Sequence, residues 1–246
     1  MNDITLDIKY KPMQDFISRT PFREMSDYLY EEYYLKKLPN KHLKTISSDV
    51  KKCREINQKY GTKVFLSSYL VESDYVLDLL DKELALWKEV SGGKAVMPKV
   101  IDFSMAKSDW YDSESAQGQS KSSAYANSRY TRLAFSAMSI ETLNYALRHE
   151  LMHLNDIKRS ENIHITGVPE EKQKDTLHNI FINQEYKYEF INAGISEKHA
   201  DYAYNDPQEF IAVAAEGDFS QYSDEFKQLL IDFGMPKWVQ KLPYKK

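Results

Sequence analysis

The residues His149, Glu150 and His153 form an HExxH pattern, in which two imidazoles and one carboxylate stand at a fixed spacing. Two histidines four positions apart on a helix share one face, so both rings can bind a single zinc ion. The glutamate beside the first histidine then flanks the open position of the metal, where it can take a proton from a water that zinc has acidified. The pattern therefore predicts zinc-dependent hydrolysis, with two histidine ligands and Glu150 as general base. The structural alternative is a packed helix with two satisfied histidines and a surface glutamate.

The flanking sequence predicts that this motif lies on a helix over residues 139–156. Ser139 is a suitable N-cap, and Glu141 places negative charge in the first turn. No glycine or proline interrupts the segment, and the two histidines lie beside an apolar stripe, as an active-site helix requires. The stripe recurs at spacings of three and four and comprises Ile140, Leu143, Leu147, Leu151 and Leu154.

A catalytic zinc site of this kind needs a third protein ligand and one open position. In one large class the ligand is a histidine six residues after the second motif histidine, but Arg159 stands there. The strongest candidate is Glu209, because Asp206 and Pro207 predict the start of a short, alanine-rich helix that would carry its carboxylate. Glu209 also fits the capping-box spacing after Asp206, so a purely structural role stays open.

The stretch from Tyr202 to Glu216, YAYNDPQEFIAVAAE, resembles the C-terminal motif of Mlc titration factor A-like peptidases. It is also similar to the catalytic domain of the anthrax lethal factor and to the bacterial Pro-Pro endopeptidases, all of which are gluzincins. Asp156 completes the HExxHxxD form of the titration-factor and lethal-factor groups. The resemblance covers residues 131–240, and the chain departs from it at Ile211, where the motif has a second phenylalanine.

The resemblance implies a zinc ion and a complete set of site residues. Tyr202, seven positions before Glu209, would hydrogen-bond the oxyanion that develops on the substrate. Asp156 and Glu216 would support the ligand histidines by hydrogen bonds from behind. The lethal-factor pattern has its second glutamate at the position of Val213, whereas Glu216 stands as in the titration factor. The implied zinc ligands are His149, His153 and Glu209, with Glu150 as the general base.

Composition limits the remaining possibilities. The net charge of −4 and the pI near 5.9 argue against a nucleic-acid-binding protein. The single cysteine, Cys53, excludes an intramolecular disulfide and a thiolate zinc site, and its helical pattern predicts a core position. Residues 1–12 lack an apolar signal core, and no apolar run is long enough to span a membrane. Location stays open between the cytoplasm and export by a route without such a signal, and so does the oligomeric state.

The predicted fold is α+β and zincin-like, with a small twisted sheet before the motif helix and a helical lobe after it. A single domain is expected over 1–246, with a helical N-terminal portion, 1–62, and a catalytic portion, 63–246. The strand before the motif helix would offer its edge to an extended substrate. Helices are predicted over 22–37, 46–60, 73–90 and 170–193, strands over 63–68, 96–103 and 131–137, and a flap over 107–128.

These observations predict a zinc metallopeptidase that acts on a protein or peptide, either in the producing cell or as a toxin or effector on another cell. One alternative is a regulator-binding protein on a zincin scaffold with little activity. Another is an amidase that acts on cell-wall material. An intact Glu150 favours an enzyme.

Overall fold

The structure is a computed structural model of the chain, and it describes residues 51–66, 73–103, 124–127, 132–135, 140–156 and 163–245. The predicted helix over 22–37, the Ser139 cap and most of the predicted flap lie outside these ranges. The chain divides into two compact units, one formed by Met1–Lys82 and Met97–Leu143, the other by Glu83–Val96 and Asn144–Lys246. The single domain with a division at residue 62 stays a prediction.

The first unit contains a four-stranded sheet in the order β1–β2–β4–β3. Strands β1, β2 and β4 run parallel, whereas β3 pairs antiparallel with β4. Val64 pairs with Ile101 and Ile101 pairs with Leu133, and all three are buried, so one apolar row crosses the parallel strands. The strands are β1 Lys63–Leu66, β2 Val100–Phe103, β3 Ala124–Asn127 and β4 Arg132–Phe135.

A proline in a strand segment indicates an edge position or an interruption, and Pro98 is an interruption. The strand predicted over 96–103 begins only at Val100, and β2 is not an edge strand, because it is flanked by β1 and β4. A proline lacks the N–H that a sheet ladder needs, so it precedes the paired residues. Strand β4 does not offer a free edge either, because residues 124–127, predicted as part of a polar loop, form a strand against it.

Two helices flank strand β1 along the chain. Helix α1 is described over residues 51–60, where Cys53 and Ile56 are buried as predicted. Helix α2, Ser73–Val90, has its predicted bounds, and its residues up to Lys82 belong to this unit. Tyr60 of α1 donates its hydroxyl to a carboxylate oxygen of Asp81 of α2 at 2.8 Å.

The second unit is helical around an aromatic core. The single helix predicted over 170–193 is wrong, because Gln184 adopts a left-handed conformation with φ 49° and ends the first of two helices. The break brings Phe181 and Phe190 onto the same ring, Phe210, at centroid distances of 5.7 and 5.0 Å. On one straight helix of about 3.6 residues per turn, they would point to opposite sides.

The second unit's helices follow the chain in order. They are α3 Ile140–Asn155, which begins in the first unit, then α4 Gln173–Asn183, α5 Lys187–Asn192, α6 Glu197–Tyr202, α7 Pro207–Glu216 and α8 Asp224–Phe233. Short 3₁₀ turns lie at Glu170–Lys172, Ala203–Asn205 and Lys237–Lys241. Helices make up most of the described residues. None of these described helices is both long enough and apolar enough to cross a membrane.

A buried ion network holds the motif helix α3 in this unit. Arg148 Nε donates to Glu83 Oε1 at 3.0 Å, and both side chains are almost fully buried. Lys245 Nζ lies 2.8 Å from the other carboxylate oxygen of Glu83 and also donates to Asn144 of α3. Arg148 further donates to the carbonyl of Pro243 at 2.8 Å. Because Arg148 directly precedes the HExxH motif, these contacts fix the rotation of the helix that carries it.

Candidate metal centre

Two helices carry the candidate ligands. Helix α3 places His149 and His153 one turn apart, and their rings meet edge to face at 4.8 Å. Helix α7 begins at Asp206, whose carboxylate accepts from the backbone N–H groups of Gln208 and Glu209, at 2.8 and 2.9 Å. The predicted N-cap is thereby confirmed, and it fixes Glu209 in the first turn of α7.

Three potential ligand atoms converge between these helices. The two histidine Nε2 atoms are 3.1 Å apart. Glu209 Oε2 lies 3.0 Å from His149 Nε2, and Glu209 Oε1 lies 3.5 Å from His153 Nε2. Ligand atoms about 2.0–2.2 Å from a tetrahedral zinc ion lie roughly 3.3–3.6 Å from one another. The observed separations are close to this range, so the donor set could hold a metal ion.

Glu216 fixes the protonation pattern of His149, the first candidate ligand. Its Oε1 lies 2.8 Å from His149 Nδ1, and the carboxylate is buried. A carboxylate accepts, so Nδ1 must donate, and the neutral ring of His149 keeps its lone pair on Nε2. That lone pair faces an oxygen of Glu209, another acceptor, at 3.0 Å. A proton or a cation must therefore lie between them.

The pKa shifts describe the same electrostatic balance. Burial lowers the pKa of His149, but its hydrogen bonds to Glu209 and Glu216 outweigh burial and raise the pKa to about 10. Burial raises the pKa of Glu209, but its bonds to His149 and His153 hold that pKa well below the usual range. The pKa of Glu216 is also lowered, against burial, by His149 and a further histidine, His199. The centre thus keeps two carboxylates ionised beside the histidines, and protons compete there with any metal.

Glu150 is buried, and its pKa is raised, first by burial and further by the negative charges of Glu209 and Glu216. The two motif histidines oppose that shift. A carboxylate with a raised pKa is a stronger base than an ordinary carboxylate, which suits it to proton transfer. Asp156, which directly follows α3, is also buried. Its role in orienting a ligand histidine stays a prediction.

The structure separates the roles of Tyr202 and Tyr204. Burial and the negative charge of Glu209 raise the pKa of Tyr202 far above its ordinary value. Tyr202 is 42% exposed, so its hydroxyl can also be reached from solvent. Tyr204 instead accepts from the backbone N–H of Tyr186 at 3.1 Å. Tyr202 ends helix α6, and Tyr204 lies in a 3₁₀ turn.

One residue of the centre is absent from the sequence-based set. His199, on α6, places its Nε2 2.9 Å from Glu216 Oε1 and stacks on the Tyr202 ring. With His149 and Glu216 it forms a second group that could hold a metal ion. The available signal is its position three residues before Tyr202, which puts both residues on one face of a helix. Nothing local indicates its contact with Glu216, which depends on how α6 packs against α7.

Comparison of the chain with protein-family models, with curated proteins and with solved structures gives no match. The residues of the centre themselves therefore provide the indication of function. The centre brings together His149, His153 and Glu209 as one possible donor set, with Glu150, Tyr202 and Glu216 around it.

Proposed function

We propose that this chain is a zinc-dependent peptidase of the gluzincin type, built on a zincin-like α+β fold. The observation that carries the proposal is the convergence of two histidine nitrogens and one carboxylate, each within 3.5 Å of the others. Two histidines and a glutamate are a recognised ligand set for catalytic zinc, one that leaves a position for substrate or water. When bound, zinc supplies polarisation of the scissile carbonyl and acidifies water.

Glu150 is assigned the proton transfers. Its carboxylate takes a proton from water as the water oxygen bonds to the carbonyl carbon. It then gives that proton to the amide nitrogen as the carbon–nitrogen bond breaks. The raised pKa of Glu150 favours both halves of this exchange, because it makes the carboxylate a better base and the neutral acid available for the second step. Glu150 therefore both accepts the proton from water and returns it to the leaving nitrogen.

Tyr202 is assigned the oxyanion. Its raised pKa keeps the phenol protonated, so it can donate a hydrogen bond wherever negative charge develops. Tyr202 lies close enough to Glu209 for that carboxylate to raise its pKa, and its exposure leaves the ring accessible to a substrate.

The choice of a peptide substrate rests on the resemblance of residues 202–216 to the peptidase motif. It no longer draws support from a free edge of β4, because β3 occupies that edge. The choice of enzyme over a binding protein with little activity rests on the buried, pKa-shifted Glu150, because a binding surface has no need of such a group.

The test compares wild type with Glu150→Gln and with Glu171→Gln, a matched change at an exposed position. A proteome digested by wild type or by Glu171→Gln should gain new peptide termini, whereas Glu150→Gln should produce none. All three proteins should carry about one zinc per chain, because Glu150 is not a ligand. Equal cleavage by Glu150→Gln, or a lack of stoichiometric zinc after reconstitution, contradicts the proposal.

A further inference from the structure

His199 contacts two parts of the centre at once. Its Nε2 lies 2.9 Å from Glu216 Oε1, and its ring stacks on Tyr202 with centroids 5.7 Å apart and planes 6° from parallel. The side chain is 38% exposed, whereas the Glu216 side chain is only 6% exposed. His199 thus lies between a buried carboxylate and a half-exposed phenol.

The first contact bears on metal binding. Glu216 Oε1 accepts from both His149 Nδ1 and His199 Nε2, at 2.8 and 2.9 Å. These two donors fix the direction of the carboxylate, and the carboxylate in turn fixes the His149 tautomer whose Nε2 faces the other ligands. A partner behind a ligand histidine commonly changes metal affinity by about 10- to 100-fold when it is removed. His199 supports that partner from its other side.

The second contact bears on the phenol. Tyr202 is the last residue of α6 and is 42% exposed, so part of its ring has no protein packed on it. The stacked ring of His199, one turn earlier on the same helix, covers one face of the phenol. This contact restricts the orientations that the Tyr202 ring can adopt.

We propose that His199 is a positioning residue, which holds Glu216 behind the metal ligand through its Nε2 and holds the Tyr202 phenol through its ring face. This inference rests on the proposed function, because Tyr202 matters only if an oxyanion forms. The two contacts use different parts of one side chain, so substitutions can separate them.

Three variants make the separation. His199→Phe keeps a ring for stacking and loses the hydrogen bond, His199→Gln keeps an N–H donor and loses the ring, and His199→Ala loses both. The control is His178→Ala, which removes an exposed histidine on α4.

Zinc affinity, measured by competition with a chromophoric chelator, should follow the hydrogen bond. We expect His199→Phe and His199→Ala to bind zinc about 10- to 100-fold more weakly, and His199→Gln and the control to stay within about threefold of wild type. This measurement needs no turnover, so it holds even if no peptide is cleaved. Wild-type zinc affinity in His199→Phe would overturn the first contact.

Turnover at saturating zinc should follow the ring. We expect kcat to fall about tenfold or more in His199→Gln and His199→Ala with KM nearly unchanged, and His199→Phe to keep most of its kcat. In a Tyr202→Phe background, His199→Gln should cause no further loss, because the ring acts through the phenol hydroxyl. Additive losses, or equal kcat in Phe and Gln variants, would overturn the second contact.

A readout without activity checks the same contact. In NMR spectra of protein with isotope-labelled tyrosine, ring stacking should shift the Tyr202 ring resonance in wild type and in His199→Phe. In His199→Gln, the chemical shift of that resonance should move toward the value of an unstacked tyrosine. An unmoved resonance in His199→Gln would overturn the stacking role. If wild type cleaves and Glu150→Gln does not, while all His199 variants match wild type, the inference fails and the proposed function stands.

Discussion

Replacing Tyr202 or Tyr204 with phenylalanine removes a single hydroxyl from residues two positions apart, with opposite expected consequences. In Tyr202→Phe the ring and its stacking on His199 remain, and only the hydroxyl is lost. That hydroxyl is partly exposed, so its loss should change the free energy of unfolding by no more than about 1 kcal/mol. Loss of an oxyanion donor, however, costs about a hundredfold or more in kcat, or roughly 3 kcal/mol.

Tyr204→Phe should affect stability instead. The Tyr204 hydroxyl accepts from the backbone N–H of Tyr186, and its ring packs edge to face against Phe181, Phe190 and Phe210. Phenylalanine keeps the packing but leaves the Tyr186 N–H without this acceptor, which costs about 1–3 kcal/mol where water cannot replace it. For a chain of this length each 1 kcal/mol lowers Tm by about 2–4 °C. Turnover below the transition should stay at the wild-type level.

The assay measures kcat, KM, Tm and zinc content for both variants on a peptide taken from the proteome digest. A zinc content equal to that of wild type in both variants would show that a kinetic loss does not arise from a lost ligand. A large loss of kcat in Tyr204→Phe, together with a wild-type kcat in Tyr202→Phe, would refute the assignment of Tyr202. It would also reopen the assignment of Glu209 as a ligand, because the role of Tyr202 follows from its position seven residues before Glu209 in the sequence.

Three further predictions concern stability and metal. Glu83→Gln should lower the free energy of unfolding by about 3–5 kcal/mol, because it leaves buried cations unpaired. Despite burial, these cations lower the pKa of Glu83 in the folded protein. The difference in unfolding free energy between wild type and variant should therefore persist above pH values near the unfolded pKa of about 4.3, and shrink as the pH falls through the lower pKa of the folded state. A difference that does not change with pH in denaturant titrations would contradict this. Added zinc should raise Tm in wild type but not in His149→Ala. The rise in wild type should be smaller at low pH, because protons on His149 compete with zinc. An equal rise in Tm in both proteins would count against the site. Gly217→Ala should cost about 1–3 kcal/mol in chemical denaturation, because a Cβ there would overlap the Tyr222 hydroxyl, and wild-type stability would show that the ring can yield.

The parts of the structure that depend on local information could be predicted from sequence. Helix α2 and the motif helix follow from apolar periodicity, and the start of α7 follows from Asp206 and Pro207. The predicted apolar positions Leu143, Leu147, Leu151 and Leu154 are buried. These features depend on residues within a few positions of each other, so one sequence suffices to find them.

The errors arise where distant residues decide the outcome. The left-handed Gln184 carries no glycine signal, and the gain from the break is a set of ring contacts with Phe210, more than twenty residues away in sequence. The sequence of strand β3 predicts a polar loop, because only the pairing with β4 makes this segment a strand. His199 was missed for the same reason, since its partner Glu216 lies on another helix.

Helix α7 explains why Glu209 and Glu216 act on the same histidine. Seven residues make about two turns, so both carboxylates project from one face of the helix. Glu209 approaches the Nε2 side of His149 at 3.0 Å, and Glu216 approaches the Nδ1 side at 2.8 Å. One helix, buried over residues 210–216, thus provides both a candidate ligand and the partner that sets the tautomer of another candidate ligand. A change that tilts α7 without touching any site residue should therefore weaken metal binding, because it moves both carboxylates away from one imidazole together.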